Sequence, residues 1–439
     1  MNENEFDPVS EPVQKHDRNR RSPMEIIIAV AAVVLIVAMM AALVMGDYGD
    51  QPVTDPTEAT GLEYTDATVP ADGNAGDVTC KGTYTISDED AKAAADQVVA
   101  TMGDVQMTNA DLQVYYYMEV ANFLNEYGYY ATLYGLDYTQ PLDTQMSTFV
   151  DNRTWQQYFL ETALSTWHTY NALAEEAKAV GFDQSSEDYR IYAESLRDEC
   201  LASAESYGYG SIKAMLEDQL GSGVTEEAYL NSMKTSYLGY LYYWELFENR
   251  QPTDAEVEAY FDQYAADYAE SGLDKETGNY VDIRHILIMP TGGTIDASGA
   301  TTYSEAEWAD AQTEAQKILD MWLAGDRTAE SFGELAAEYT HDSNGADGGL
   351  YTNVSEGDMV KEFNDWCFDE NRVTGDYGLV KTQYGWHVMY FEGSNPMWFA
   401  TAKSDLETEI ANAIPGEVMA KYEISYDYDT MVLGELKLS

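Results

Sequence analysis

The sequence of 439 residues predicts three kinds of structure: a transmembrane helix, a mainly α-helical lobe and an α+β domain. The first follows from an uncharged apolar run at 26–45, which is long enough to cross a bilayer as a helix. The second follows from apolar and aromatic residues that recur at spacings of three and four through most of 109–272. The third follows from 280–393, where strand-like runs enclose three helical patterns.

The composition is typical of a folded and strongly acidic protein. Asp and Glu number 78 against 23 Lys and Arg, which gives a formal net charge of −55. A hydrophobic content of 45% with 13% aromatic residues argues against general disorder. Because binding to nucleic acid relies on clustered Lys and Arg, which the predicted folded parts lack, we expect no nucleic-acid partner.

The N-terminal region predicts a membrane anchor whose N-terminus is cytoplasmic. Basic residues precede the apolar run and acidic residues follow it, which is the orientation that the positive-inside rule favours. We therefore expect a cytoplasmic tail at 1–25, an anchor in the lipid bilayer at 26–45, an acidic extended linker at 46–85 and an extracytoplasmic remainder. A cleaved signal peptide is the alternative, although its apolar core is usually only about 7 to 15 residues long.

Three cysteines fit an exported protein without requiring a disulfide. Because Cys80, Cys200 and Cys367 are odd in number, at least one of them is unpaired or pairs between chains. A disulfide between Cys80 and Cys200 is one interpretation. Three isolated, small apolar side chains are the other.

Residues 86–279 predict the helical lobe. One periodic pattern begins at Trp155 and ends at Gly181, a residue type that often terminates helices. Further helices are predicted over 186–206 and 225–248. Tyrosine is frequent in this lobe, and its wide apolar contact with a polar tip suits the binding of varied peptides, but most of these positions also fit the core of amphipathic helices.

The α+β domain at 280–393 contains the most informative pair of residues. His285 and His387 each lie in a short strand-like run, and the acidic, glycine-rich loop 340–350 lies between them in the sequence. Period-two alternation places both histidines on strand faces that also carry apolar residues, so we expect both to point inward. With Asp342 of that loop, they could share one small pocket.

Two other chemistries fit these residue types less well. His285, His387 and Asp342 match the residue types of a metal-binding facial triad, but their spacing is not that of a local ligand motif. Cys367 with His387 could form a cysteine protease pair, but no nucleophile signature surrounds Cys367. We therefore expect neither a metal nor a cofactor.

Five short motifs of this domain, taken in their order and spacing, resemble the parvulin-type peptidyl-prolyl isomerase domains. They are Arg284-His285-Ile-Leu-Ile, Phe332-Gly-Glu-Leu-Ala-Ala-Glu-Tyr-Thr-His-Asp342, Gly348-Gly349-Leu350, Gly357-Asp-Met359-Val-Lys-Glu-Phe363 and Thr382-Gln-Tyr-Gly385-Trp-His387-Val. With its anchor and helical lobe, the whole chain resembles exported foldases of the PrsA, SurA and PpiD kind. The resemblance implies a small antiparallel sheet with surrounding helices, and a C-terminal segment, 394–439, that packs on the helical lobe.

The resemblance also implies a role for each site residue. The proline pocket would be formed by Leu350, Met359 and Phe363. Beneath it His285 and His387 would be paired imidazoles, ordered by hydrogen bonds that include Thr382, and Asp342 would lie near the substrate carbonyl. No covalent nucleophile is required, because the reaction is a rotation about an amide bond.

The chain departs from the family pattern in the wall of this pocket. Tyr351 stands at a position that is usually glycine, which leaves the wall's structure open. No Lys or Arg occurs between Arg284 and Lys317, and phosphate recognition generally needs such cations. We therefore predict no preference for phosphorylated substrates.

These observations predict a membrane-anchored foldase that isomerises X-Pro bonds in unfolded exported polypeptides outside the cytoplasmic membrane. A homodimer is compatible with the sequence. Two alternatives stay open: a holding chaperone whose isomerase domain is inactive, and a surface-exposed binding or scaffold protein.

Overall fold

The computed structural model describes residues 85–137, 140–148, 153–295 and 301–434. The predicted tail, the predicted anchor, nearly all of the predicted linker and Cys80 lie outside these ranges. Within them, no helix combines the length and the apolar character that crossing a bilayer requires.

The described residues form a run of consecutive helices between two regions that contain both strands and helices. The helices are α1 (Asp88–Ala94), α2 (Asn109–Tyr127), α3 (Trp155–Ala179), α4 (Phe182–Ser185), α5 (Glu187–Ser206), α6 (Ile212–Gln219), α7 (Glu226–Glu248), α8 (Asp254–Gln263), α9 (Ala265–Glu270), α10 (Glu305–Ala324), α11 (Ala329–Tyr339), α12 (Lys361–Cys367) and α13 (Met397–Met419). The strands are β1 (Thr85–Ile86), β2 (Val98–Met102), β3 (Val105–Thr108), β4 (Asn279–Ile288), β5 (Thr294–Ile295), β6 (Thr301–Thr302), β7 (Leu350–Val354), β8 (Tyr377–Lys381), β9 (Trp386–Pro396), β10 (Ile424–Tyr426) and β11 (Leu433–Gly434).

The chain divides into two compact units that differ from the predicted domain bounds. Among the described residues, the first unit comprises those up to Gln251 together with those from Glu409 onward, and the second is Pro252–Thr408. Helices α8 and α9, which were assigned to the helical lobe, therefore belong to the second unit. The reason is local packing, since Val257 and Phe261 of α8 form one buried cluster with Ala402 of α13.

The first unit is built mainly on α2, α3 and α7, whose buried residues form its largest apolar cluster. The prediction that Gly181 terminates the helix that begins at Trp155 is confirmed, since α3 ends at Ala179 and Gly181 takes a positive φ of 76° that favours glycine. The helices predicted over 186–206 and 225–248 are confirmed as α5 and α7, which Ser186 and Thr225 cap with their side chains.

Residues near the C-terminus complete this first unit. Strand β10 pairs antiparallel with β2, so that Ile424 lies opposite Met102. The side-chain oxygens of Asn109 and Gln113 accept hydrogen bonds from the backbone N–H groups of Val432 and Gly434, at 2.9 and 2.7 Å. The buried side-chain oxygens of these two residues of α2 therefore find their hydrogen-bond donors in the last part of the described chain.

The second unit confirms the predicted small antiparallel sheet with surrounding helices. Its four strands lie in the order β7-β4-β9-β8, and all neighbours are antiparallel. Helices α10 and α11 pack on one face, in a cluster with Ile286, Ile288 and Val388. Helix α12 packs on the other face, with Ile283 and Met389. Helix α12 begins at Lys361, because Val360 is extended (ψ 148°).

Candidate active site

Two central strands bring the predicted histidines together. In the register of β4 and β9, His285 lies opposite Met389 and Leu287 lies opposite His387, so the two histidines are diagonal neighbours. Their Nδ1 atoms are 3.1 Å apart. Both side chains lie on the α12 face of the sheet and are buried, with exposed fractions of 1% and 5%. The prediction that both point inward is confirmed.

Thr382 lies in the turn between β8 and β9 and reaches the second imidazole. Its Oγ1 is 2.9 Å from His387 Nε2, and it accepts a hydrogen bond from the backbone N–H of Tyr384 at 3.1 Å. The turn depends on Gly385, since a Cβ there would clash with the carbonyl oxygen of Ile288. Because Thr382 Oγ1 already accepts from the backbone, its hydroxyl proton is available to His387.

The loop after α11 places Asp342 beside the first imidazole. Thr340 and His341 dock this loop on β4, through the bonds of Leu287 N to Thr340 Oγ1 (3.0 Å) and of His341 N to Leu287 O (2.8 Å). Oδ1 of Asp342 accepts from the backbone N–H of Ser343 at 2.6 Å. Oδ2 lies 3.4 Å from His285 Nε2, although the direction is not that of a hydrogen bond.

Steric constraints explain why glycine occupies the last two positions of this loop. Gly348 and Gly349 have φ values of 67° and 71°, in the left-handed region. A Cβ on Gly349 would clash with the carbonyl oxygen of His285. The loop can therefore approach the histidine strand only with glycine at that position.

One arrangement of protons fits the surroundings of both imidazoles better than the other. If His387 Nδ1–H donates to His285 Nδ1, then His387 Nε2 accepts from the Thr382 hydroxyl, and His285 Nε2–H faces the Asp342 carboxylate. The opposite arrangement would turn the lone pair of His285 Nε2 toward that carboxylate. The first arrangement is favoured because it places a donor beside every acceptor.

Burial keeps both imidazoles uncharged at neutral pH. It lowers the pKa of His285 to about 4, and the negative charge of Asp342 opposes this shift. It also lowers the pKa of His387 to about 3, with a further lowering by His285 and an opposing effect of Asp342. The site thus contains two buried, neutral imidazoles that are hydrogen-bonded to each other and to Thr382, with one carboxylate beside the first of them.

The three residues predicted for the proline pocket lie at different distances from the two histidines. Phe363 of α12 is buried, and its ring stands nearly perpendicular to both imidazoles, with centroids 5.3 Å from His285 and 5.2 Å from His387. Met359 is half-buried and packs against the cluster that contains Phe363. Leu350 is half-buried and pairs in register with Arg284, the neighbour of His285.

Tyr351 is a site contact that had no predicted role. Its ring stacks on His285, with centroids 4.9 Å apart and planes at 28°. Its hydroxyl donates to Asp342 Oδ2 at 3.3 Å. The sequence marked this position only as an unusual replacement for glycine, directly after a predicted pocket residue.

The described residues contain no group of three or more His, Cys, Asp or Glu side chains that could hold a metal ion. Burial raises the pKa of the Cys367 thiol to about 12. A thiol in this state stays protonated and is a poor nucleophile, which disfavours the protease interpretation.

Comparison with known proteins gives the site its context. Residues 271–393 match the family model of the PPIC-type PPIASE domain. The chain is 29% identical over 182 residues to the foldase protein PrsA of Caldanaerobacter subterraneus subsp. tengcongensis, a match that covers 41% of this chain and 46% of the relative. The chain therefore spans about half the length of that relative.

Solved structures of similar proteins include PrsA from Bacillus subtilis and a foldase protein PrsA from Lactococcus lactis. The first is 19% identical and covers 56% of this chain and 86% of its own, with a TM-score of 0.24. The second is 14% identical and covers 74% and 91%, with a TM-score of 0.23. Superpositions at these TM-scores support no argument about this chain. The match of residues 271–393 does: they form a parvulin-type peptidyl-prolyl cis–trans isomerase domain, in a chain that is similar to a PrsA foldase.

Proposed function

We propose that this chain catalyses the cis–trans isomerisation of X-Pro bonds at the site around His285 and His387, and that it assists the folding of exported polypeptides. The observation that carries the proposal is the pair of buried, neutral imidazoles of His285 and His387, which lie between Thr382 and the Asp342 carboxylate and beside the ring of Phe363. It combines an apolar surface for a proline ring with polar groups fixed in one order.

Such a site suits the chemistry of the reaction. Rotation about an X-Pro bond meets a barrier of about 18 to 20 kcal/mol, because twisting removes the amide resonance. A catalyst has to bind the twisted amide more tightly than either planar form. Excluding water around the proline ring and holding dipoles in place near the amide both favour the twisted form. No covalent intermediate is needed.

In this proposal the residues have distinct roles. Leu350, Met359 and Phe363 hold the proline ring, and Asp342 lies nearest to the substrate's amide carbonyl. His285, His387 and Thr382 fix the polar floor of the pocket. Burial supports a structural part for the histidines, since exposed fractions of 1% and 5% leave little of either ring accessible to a substrate.

The wider setting of the activity is also part of the proposal. We infer that the partners are unfolded or partly folded exported polypeptides with X-Pro bonds, and that residues 26–45 anchor the chain in the cytoplasmic membrane with most of the protein outside it. The apolar run and its flanking charges support the anchor. The name of the similar foldase protein supports the folding role. A homodimer is compatible with both.

The test is exchange NMR on a proline tetrapeptide mixed with the purified chain. We expect line broadening with the unsubstituted protein, a clear loss with Met359→Ala and a larger loss with Asp342→Ala. Met321→Ala is a matched control, since Met321 is 39% exposed on α10 and is assigned no role in the site. Absence of broadening with the unsubstituted protein would reject the enzymatic function; suppression of client aggregation by the same sample would then indicate a holding chaperone.

The same assay decides the substrate preference. Peptides with phosphorylated and plain serine before proline should be turned over at similar rates, because no Lys or Arg follows Arg284 before Lys317. A strong preference for the phosphorylated peptide would contradict this prediction.

A further inference from the structure

Tyr351 covers one face of the His285 imidazole. It is the second residue of β7 and lies opposite Ile283 of β4, two residues before His285. Its half-buried ring stacks on the imidazole of His285 (4.9 Å between centroids), which Phe363 meets edge-on (5.3 Å). The imidazole of His387 is the third ring that contacts His285, with centroids 5.2 Å apart.

The hydroxyl of Tyr351 connects the same histidine to Asp342. It donates to Asp342 Oδ2 at 3.3 Å, and this oxygen is also the one that lies 3.4 Å from His285 Nε2. The other carboxylate oxygen accepts from the backbone N–H of Ser343 at 2.6 Å. Burial, followed by the charge of Asp342, raises the pKa of Tyr351, so the phenol stays protonated and remains a donor.

We propose that Tyr351 is a positioning residue of the isomerase site, whose hydroxyl holds the Asp342 carboxylate beside His285 and thereby fixes the proton order of the histidine pair. This inference rests on the proposed function. The side chain of Asp342 is 22% exposed, so without the phenol it can turn toward water. His285 Nε2 would then lose the nearby negative charge that favours its protonation, and the two proton arrangements of the pair would mix.

A double-mutant cycle tests whether Tyr351 acts through Asp342. Tyr351→Phe keeps the ring and removes only the donor. We expect it to lower kcat/KM for a proline peptide about five-fold, the equivalent of one ordinary hydrogen bond. In an Asp342→Ala background the same substitution should change kcat/KM less than about two-fold, since the acceptor is already absent. Tyr377→Phe is the matched control, because Tyr377 lies on β8 and contacts Trp322 on the other face.

The imidazole ¹⁵N spectrum gives a second measurement that a space-filling role would not change. In the unsubstituted chain His285 should be protonated at Nε2, and in Tyr351→Phe its two tautomers should mix. Equal losses in both backgrounds, or an unchanged rate and spectrum, would overturn the proposal. If the unsubstituted chain catalysed no exchange, the proposed function would fail instead, and the spectrum would still decide the role of Tyr351.

Discussion

The two units bury opposite kinds of titratable group. In the first unit, Glu119 of α2 accepts a hydrogen bond from Thr166 at 2.7 Å, and burial raises its pKa to about 7. In the second unit, burial lowers the pKa of His285 to about 4 and that of His387 to about 3. The same physical cause therefore raises the pKa of an acid in one unit and lowers the pKa values of two bases in the other.

The difference gives the two units opposite responses to acid. The stability that Glu119 contributes is fully present below its unfolded pKa of 4.5 and is lost as the pH rises through about 7. The stability that the histidines contribute is present above their unfolded pKa of 6.5 and is lost as the pH falls through their folded values. His168 of the first unit, whose pKa burial also lowers, partly opposes Glu119.

The largest expected effect is the loss of stability of the second unit in acid. Between about pH 7 and about pH 4.5 we expect its free energy of unfolding to fall by up to about 5 kcal/mol, since each histidine gains a proton more readily in the unfolded chain. Hydrogen exchange of the β4 and β9 amides, corrected for intrinsic rates, measures this, with β2 of the first unit as the internal control. Equal losses in both units would show that protonation of these two histidines is not the cause.

The next effect isolates the buried acid of the first unit. At about pH 8 Glu119→Gln should raise the free energy of unfolding of that unit by about 2 kcal/mol, because the neutral amide avoids a buried charge and can still accept from Thr166. Hydrogen exchange in α2 and β2 measures it. Glu205→Gln, at an exposed position of α5, is the control and should have no such effect. A similar gain in both variants would point to net charge as the cause.

A smaller effect is expected when the hydrogen bonds of Thr382 in the second unit are removed without changing how well the site is packed. Thr382→Val keeps the side-chain volume but removes the donor to His387 and the acceptor of Tyr384 N–H, which should cost about 1 to 2 kcal/mol and lower the rate of proline exchange. Thr313→Val, on the exposed face of α10, is the control. An unchanged rate would show that the orientation of His387 does not depend on Thr382.

The smallest effect is expected at the surface of the helix that covers the site. Lys361 and Asp365 form an ion pair on α12, with side chains 80% and 55% exposed. Because solvent screens such pairs, Lys361→Ala should leave the stability of the second unit and the rate of proline exchange unchanged. A clear loss of stability or of the proline exchange rate would show that the outer surface of α12 also contributes to the site.

The sequence predicted local elements better than the contacts between distant segments, for a physical reason. Strand alternation is a local pattern, and it located β4 and β9. The resemblance named His285, Asp342 and His387, which the structure brings together. The roles assigned to these residues stay predictions.

What the sequence did not provide were contacts between distant segments. Nothing local in 252–270 indicates that α8 packs against Ala402, which lies far along the chain. Tyr351 illustrates the same limit at the site. Its contacts with His285 and Asp342 depend on how β7 pairs with β4 and on where the loop from α11 docks. Neither can be deduced from residue types at that position.

The return of the chain to the first unit has a consequence for the order of folding. The second unit is contiguous, whereas the first needs β10 to pair with β2 and the backbone of Gly434 to reach Gln113. Because a protein is synthesised from its N-terminus, every residue of the second unit is made before β10 and β11 of the first unit. During synthesis, the second unit can therefore fold before the strands that complete the first unit exist.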